Sequence, residues 1–179
     1  MIDGAINVNI TPDLVILREK KIGECIGCYQ CLRKQYCSLK DDMIEIHRLI
    51  QKSDILIIAS PLYWYGVTGL MKTFIDRLFY YYHKDTKRKI HGKECVVVTP
   101  LNQQNVVYET EILIHFYNRL LNCLGIHKII MYFFGEIMTR DDLSAKPEYM
   151  SQAFSIGQSL NDLFLAKDRE KETIVRMLQ

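Results

Sequence analysis

Short apolar runs alternate with longer amphipathic stretches along most of this chain. Three runs have no polar face, as is typical of strands covered on both sides of a parallel sheet. They lie at residues 55–59, 95–99 and 129–134. Elsewhere apolar residues recur every three to four positions, which predicts helices at residues 67–82, 106–124 and 147–166. Strands that alternate with helices of this length indicate an α/β fold.

The beginning of the chain predicts two further strands. Residues 5–10 alternate between apolar and polar positions, and residues 14–17 form a continuous apolar run. Acidic residues at 41 and 42 then predict the start of a helix that carries His47 on its solvent side. We therefore expect a doubly wound parallel sheet with helices on both faces, which is a three-layer α/β/α architecture.

Several conspicuous side chains have ordinary structural interpretations. The aromatic run at 80–82 is expected to pack in the core or an interface, and His115 and Cys123 are expected in the core. The basic run at 83–93 is expected to be a solvated loop, with a phosphate-attracting patch as the alternative. We expect a long loop at 135–147 and a charged terminal segment after the last helix.

Length and charge narrow the possible classes of protein. A chain of 179 residues fits one domain, 1–179. Its 23 Lys and Arg against 21 Asp and Glu give a net charge of +2, which gives no reason to expect nucleic acid as a partner. No apolar run approaches the length that a bilayer needs, and no signal peptide is visible, so we expect no membrane and a cytoplasmic location.

Four of the six cysteines form one compact motif. The spacing is C-x2-C-x2-C-x5-C, and the residues are Cys25, Cys28, Cys31 and Cys37. Thiolates this close can turn toward one centre, and Gly27 allows the tight turn. The spacing favours an iron–sulfur cluster, with tetrahedral zinc as the second interpretation and a loop of free thiols as the third.

Two further loops follow buried strands. Tyr63, Trp64 and Tyr65 lie directly after the strand at 55–59 and offer flat surfaces for a planar cofactor. Thr99, Asn102 and Gln103 follow the next strand and offer hydrogen bonds. Ligands in such folds bind at the carboxyl ends of strands, so we expect both loops and the cysteine loop at 25–37 to converge on one site. No catalytic acid–base pair or nucleophile stands out.

The stretch D-I-L-I-I-A-S-P-L-Y-W-Y-G-V-T-G-L-M-K-T-F-I-D at 54–76 resembles the second flavin loop of the NADPH-dependent FMN reductase and iron–sulfur flavoprotein family. The C-I-G-C-Y-Q-C…C…K-D-D-M stretch resembles that family's cysteine motif, and the region around Lys146, Ala153 and Gly157 is also similar. The resemblance extends from about residue 14 to 165. It implies a flavodoxin-like fold.

The resemblance also implies a function. It indicates an FMN-dependent oxidoreductase that transfers electrons between flavin and a [4Fe-4S] cluster held by the four cysteines of the motif. The expected partners are an electron donor such as NAD(P)H or ferredoxin and further copies of the chain in a homodimer or tetramer. The alternatives are a cluster-free NAD(P)H-dependent FMN or quinone reductase and a non-catalytic, possibly zinc-binding remnant or subunit. The flavin loop matches at Ser60, Pro61, Leu62, Tyr63, Trp64, Tyr65 and Gly66.

The sequence departs from the family pattern at two places. The family begins with a central strand that leads into a Ser/Thr-rich phosphate loop, and residues 1–13 contain no such loop. The expected fold is therefore N-terminally incomplete, with the gap filled by residues 6–10 or by another chain, and FMN is expected to bind more weakly than in a complete member. The third flavin loop is usually glycine-rich, whereas here it is Pro-Leu-Asn-Gln-Gln-Asn at 100–105.

Overall fold

The computed structural model describes residues 1–87, 89–165 and 172–178. Its centre is a four-stranded parallel sheet in the order β1-β2-β3-β4. The strands are β1 (Ile55–Ala59), β2 (Glu94–Pro100), β3 (Lys128–Phe134) and β4 (Glu172–Leu178). Because neighbouring strands start in register, their carboxyl ends lie along one edge of the sheet.

Helices connect and cover the strands. They are α1 (Ile2–Asn7), α2 (Gln30–Lys34), α3 (Met43–Lys52), α4 (Gly69–Arg77), α5 (Lys84–Lys87), α6 (Val106–Leu124), α7 (Arg140–Ser144), α8 (Pro147–Gln158) and α9 (Leu160–Leu165). Short 3₁₀ turns occupy Leu17–Glu19 and Leu78–Tyr82. None of the helices in the described part of the chain is long and apolar enough to cross a bilayer.

The sheet separates two apolar cores. Alternate residues of β2 point to opposite faces, so Cys95 and Val97 join one core while Val96 joins the other. The larger core packs the sheet against α3, α4 and α6, and the smaller one packs it against α1 and α8. The expected three-layer α/β/α arrangement is therefore confirmed.

The prediction of strands near the start of the chain is wrong. Residues 2–7 form α1, and their alternation is overridden because the helix packs its small residues against α8. A Cβ added to Gly4 would lie 2.0 Å from the Phe154 carbonyl oxygen, and one added to Gly157 would lie 2.0 Å from the Met1 carbonyl oxygen. These two glycines let the helices approach closely. The apolar run at 14–17 is outside any strand, and Val15 and Leu17 pack singly against the larger core.

The two edges of the sheet also differ from expectation. The terminal segment contains β4, so β3 is not the last strand, and β4 pairs with β3 over its whole length. At the other edge, β1 pairs only with β2 among the described residues, and Ile57 is 42% exposed. The segment at 6–10 does not fill that side of β1.

Smaller corrections concern single side chains. His47 is buried at 8% exposure, contrary to the predicted solvent-facing position. His115 and Cys123 are exposed instead of buried, because they lie on the outer side of α6. Of the aromatic run, Tyr81 is fully buried as expected, whereas Tyr82 is exposed. The basic run at 83–93 includes the short helix α5, and the loop at 135–147 includes α7 with a Thr139–Asp142 capping box.

Candidate functional site

The four cysteines of the motif surround one pocket. Cys25, Cys28, Cys31 and Cys37 line it together with Arg77 and Phe79. Gly27 has a φ of +62° with nothing near its missing side chain, so it turns the loop between the first two cysteines at little steric cost. The structure therefore brings the sequence-predicted metal ligands together.

Arg77 holds the cysteine loop in place. Its side chain is almost fully buried and contacts both ends of the loop. The Nη1 atom donates to the Gly23 carbonyl oxygen at 2.8 Å and to Asp41 Oδ2 at 2.6 Å. The Nη2 atom donates to Asp41 Oδ1 at 3.1 Å and to Cys37 Sγ at 3.3 Å. Arg77 thereby ties the loop to the end of α4.

Sequence reasoning missed Arg77. The available signal was a charged residue on the apolar side of a helix, three positions after Phe74 and four before Tyr81. A charge at such a position needs a partner, and Asp41 supplies it. Asp41 also accepts hydrogen bonds from the amides of Gly23 at 2.9 Å and Met43 at 3.1 Å.

The thiols and the carboxylate of this site have shifted pKa values. Partial burial works to raise the pKa of Asp41, but the hydrogen bonds from Arg77 and the two amides outweigh it and lower the pKa below its ordinary value. A hydrogen bond with Ser38 lowers the pKa of Cys28. Burial, reinforced by the neighbouring thiol of Cys37, raises the pKa of Cys31. The two thiols therefore shift in opposite directions because Cys28 accepts stabilising hydrogen bonds and Cys31 is partly buried.

A buried aromatic cluster lies behind the cysteine loop. The ring of His47 packs against Tyr80 at 4.6 Å and Tyr81 at 5.1 Å between centroids. The Tyr81 hydroxyl lies 3.1 Å from His47 Nδ1 and 3.3 Å from the His47 carbonyl oxygen, so it can donate to either acceptor. Burial, with a contribution from the positive charge of Arg77, lowers the pKa of His47 to about 4. The imidazole is therefore neutral at pH 7.

The first predicted flavin loop lies against the carboxyl end of β2. The Ser60 amide donates to the Val98 carbonyl oxygen at 3.1 Å, and the Leu62 amide donates to the Pro100 carbonyl oxygen at 3.0 Å. These bonds continue the β1–β2 ladder past the end of β1 as far as the last residue of β2. The loop after β1 therefore lies beside the carboxyl end of β2, from which the loop at 101–105 begins.

The aromatic loop is a two-residue hairpin turn. Tyr63 and Gly66 exchange both backbone hydrogen bonds, at 2.9 and 3.0 Å, around Trp64 and Tyr65. Trp64 has a φ of +47° and Tyr65 a φ of +63°, both in the left-handed region where asparagine and glycine are usual. The Trp64 side chain is 94% exposed. Strain of this kind concentrates at functional sites, so the turn is a candidate for binding a flat ligand.

The remaining loop residues divide by burial. Ser60 is buried, and its hydroxyl accepts from the Thr68 amide at 3.3 Å and so shapes the turn. Thr99 is fully buried, and its hydroxyl has no hydrogen-bond partner among the described residues. Asn102 and Gln103 are exposed, and Pro61 is partly exposed.

The cysteine pocket and the aromatic turn are separate in this chain. The residues that line the pocket include none from the loops after β1 and β2. The turn precedes α4, whereas Arg77 and Phe79 lie at its other end. Nine helical residues span about 13 Å. The expectation that all three loops converge on one site is therefore not met.

Residues 3–122 match the sequence profile of the NADPH-dependent FMN reductase family. This match covers both loops and the cysteine motif. The chain belongs to the NADPH-dependent FMN reductase family.

Proteins with sequences similar to this chain include several described as iron–sulfur flavoproteins. One from Archaeoglobus fulgidus is 38% identical over 130 residues, which is 70% of this chain and 56% of that protein. Another, from Clostridioides difficile, is 39% identical over 95 residues, which is 50% of this chain and 40% of that protein. The chain thus spans about half the length of these relatives.

The fold is that of flavodoxin-like members of the FMN reductase family. An NAD(P)H:quinone oxidoreductase from Methanothermobacter marburgensis superposes with a TM-score of 0.69 at 21% identity. The superposition covers 88% of this chain and 83% of that one. At this identity the likeness shows the fold, and it agrees with the parallel sheet described above.

The cysteine loop and the aromatic turn can be compared with the requirements of an iron–sulfur cluster and of FMN. Four thiolates are the usual ligands of a [4Fe-4S] cluster, and they share one pocket here. Within the described residues, however, no three cysteine, histidine or acidic side chains already stand in a metal-coordinating arrangement. For FMN, the exposed aromatic turn offers a flat surface, whereas the Thr99 hydroxyl is fully buried.

Proposed function

We propose that this chain is an FMN-dependent oxidoreductase that passes electrons between the flavin and a [4Fe-4S] cluster. The observation that carries the proposal is the pocket lined by Cys25, Cys28, Cys31 and Cys37. Membership of the FMN reductase family and similarity to iron–sulfur flavoproteins support it.

When bound, FMN accepts a hydride and releases single electrons, and the cluster carries one electron at a time. The protein would bind and orient these cofactors. The hairpin at Tyr63–Gly66 holds Trp64 in the solvent, where its ring can stack on an isoalloxazine face. Asn102 and Gln103, which are exposed, would donate hydrogen bonds to the polar edge of that ring.

The cysteine loop provides the ligands of the cluster. Gly27 turns the chain between Cys25 and Cys28, and the short helix α2 carries Cys31. Cys37 completes the set on the side of Arg77. The hydrogen bond with Ser38 favours the thiolate form of Cys28, which is the form that binds iron.

Assembly gives a reason for the separation of the two sites. The aromatic turn is exposed, and the cysteine pocket lies at the other end of α4. A homodimer or tetramer can bring the turn of one copy near the cysteine loop of another. The electron donor in this proposal is NAD(P)H or ferredoxin, and the protein works in the cytoplasm.

A second candidate function is that of a cluster-free NAD(P)H-dependent FMN or quinone reductase. The observation that favours it is the lack, within the described residues, of three ligands in a coordinating arrangement. The third is a zinc-binding remnant without flavin. Purification distinguishes them, because only the first two bind FMN and only the first contains iron and sulfide.

An anaerobic optical titration tests the proposed function. The protein is purified without oxygen, supplied with FMN and mixed with NADPH, NADH or reduced ferredoxin. We expect the flavin absorbance to bleach first and the iron–sulfur absorbance to follow. Bleaching of flavin alone in a protein without iron supports the cluster-free reductase, and failure to bind FMN contradicts both redox functions.

A further inference from the structure

Arg77 is the one described residue whose side chain hydrogen-bonds to a cysteine of the motif, to the start of the cysteine loop and to the carboxylate that follows it. We propose that Arg77 is a positioning residue that fixes the cysteine loop and raises the reduction potential of the cluster through its hydrogen bond to Cys37. The inference rests on the proposed function for its redox part. The loop-fixing part does not depend on any bound cofactor.

The geometry supports the loop-fixing part. Gly23 lies two residues before Cys25, and Asp41 lies four residues after Cys37. Arg77 contacts both through one rigid guanidinium group at 2.6–3.1 Å. The Gly23 amide also donates to Asp41, so the two ends of the loop are joined to each other as well as to α4. A lysine cannot reproduce this fork of donors.

The contact with Cys37 supports the redox part. The Nη2 atom lies 3.3 Å from Cys37 Sγ inside the wall of the cysteine pocket. A hydrogen bond to a ligand sulfur stabilises the more negative, reduced form of an iron–sulfur cluster and so raises its potential. Arg77 is only 3% exposed, and therefore little water screens this effect.

An unsatisfied donor gives a second, independent indication. Arg77 Nε is buried and finds no acceptor among the described residues. A buried donor without a partner costs about 1–3 kcal/mol, so an acceptor supplied by a ligand or an ordered water would stabilise this group. Arg77 lines the cysteine pocket, where the sulfur atoms of a bound cluster would supply acceptors.

The test uses Arg77→Lys, which keeps the positive charge and removes the fork. Arg119→Lys is the matched control, because Arg119 is exposed on α6. In the metal-free full chain, amide hydrogen exchange at residues 23–41 is expected to be at least tenfold faster in Arg77→Lys than in wild type. Exchange in β2 should stay unchanged, which shows that the fold is intact. Equal exchange at residues 23–41 would overturn the loop-fixing part.

The second measurement is the midpoint potential of the reconstituted cluster. We expect Arg77→Lys to disfavour the reduced form about tenfold, which is a shift of about −59 mV for a one-electron couple. Arg119→Lys should match wild type. An unchanged potential in iron-loaded Arg77→Lys overturns the redox part. Absence of iron from the wild type instead refutes the proposed function, and with it the redox part, while the exchange result still decides the loop-fixing part.

A second variant covers the case in which Arg77→Lys loses protection in β2. Asp41→Asn leaves Arg77 and its contact with Cys37 in place but weakens the ion pair. We expect faster exchange at residues 23–41 in this variant, with a potential that shifts less than in an Arg77 variant. Wild-type exchange in Asp41→Asn would contradict the proposed clamp.

Discussion

Arg77 and Asp41, which are 36 positions apart in the sequence, form a two-point ion pair beneath the cysteine loop. The Arg77 side chain is 1% exposed and the Asp41 side chain 14%. Removing one partner of a buried pair leaves an uncompensated charge. The pair therefore links the order of the loop to the stability of the fold.

The first prediction concerns this pair. Asp41→Ala is expected to lower the free energy of unfolding by about 3 kcal/mol, because it leaves the buried Arg77 guanidinium without its counter-charge. Asp76→Ala is the control, since the Lys72–Asp76 pair is about half exposed and is expected to contribute under about 0.5 kcal/mol. Urea unfolding measures both. Equal small effects in the two variants would show that the Asp41 pair does not stabilise the fold.

The second prediction concerns pH. The folded-state pKa of His47 is lowered to about 4, below its ordinary value of 6.5. The stability that this shift contributes is therefore present above pH 6.5 and is lost as the pH falls from about 6.5 to about 4. The total loss is about 3 kcal/mol, from 1.36 kcal/mol per pKa unit.

Urea unfolding at several pH values between 7 and 4 checks this prediction. His47→Phe should show a flatter dependence over that range, because the titrating group is gone. Asp41 does not account for a loss of stability over this range, because its folded-state pKa is lowered. Its contribution to the free energy of unfolding is lost only at lower pH, as the pH falls through that lowered pKa. A wild type whose stability does not change between pH 6.5 and 4 would contradict the buried, neutral state of His47.

The third prediction concerns the contact between α1 and α8. Gly157→Ala is expected to destabilise the protein by about 2 kcal/mol, because the added methyl group would lie 2.0 Å from the Met1 carbonyl oxygen. The control is Gly69→Ala on α4, where nothing lies within 4 Å and a gain of about 0.4–1 kcal/mol is expected. Thermal unfolding compares the two. A neutral Gly157→Ala would mean that α1 does not pack closely on α8.

The fourth prediction concerns the aromatic turn. Trp64→Gly is expected to stabilise the apoprotein by about 1 kcal/mol, because glycine adopts the φ of +47° without strain. The same change should weaken FMN binding by about 1–3 kcal/mol if the indole is a stacking surface, by analogy with base–aromatic stacking. The control is Tyr108→Ala, which removes an exposed aromatic side chain from α6. Alanine is used there because glycine would destabilise the helix. Unchanged FMN affinity in Trp64→Gly would reject the placement of the flavin.

The sequence predicted the parts of the fold that depend on local pattern. Strands β1, β2 and β3 have uninterrupted apolar runs, and the cysteine spacing located the pocket. The failures arose where tertiary contacts override the local pattern. The alternation at 5–10 looked like a strand, yet Gly4 and Ala5 pack α1 against α8. Strand β4 includes Glu172, Thr173 and Arg176 and was interpreted as part of a charged terminal segment, because pairing with β3 is not visible in the sequence.

The buried positions of Arg77 and His47 were not predicted, for a related reason. Each is a polar residue on a helix, for which exposure is the usual expectation. The buried positions depend on partners far away in the sequence, namely Asp41 for Arg77 and Tyr81 for His47. Their long-range hydrogen bonds offset the cost of burial, and no local pattern shows such partners.

The central claim is that the four cysteines of the motif bind one [4Fe-4S] cluster. The most direct measurement is iron, acid-labile sulfide and zinc content of anaerobically purified wild type, Cys31→Ser and Cys95→Ser. Cys95 is buried in the sheet, where burial raises its thiol pKa, so it serves as the matched control. We predict about four iron and four sulfide per chain in wild type and Cys95→Ser, as a [4Fe-4S] cluster requires, and their loss in Cys31→Ser. Wild-type protein without iron, or with one zinc per chain, would contradict the claim.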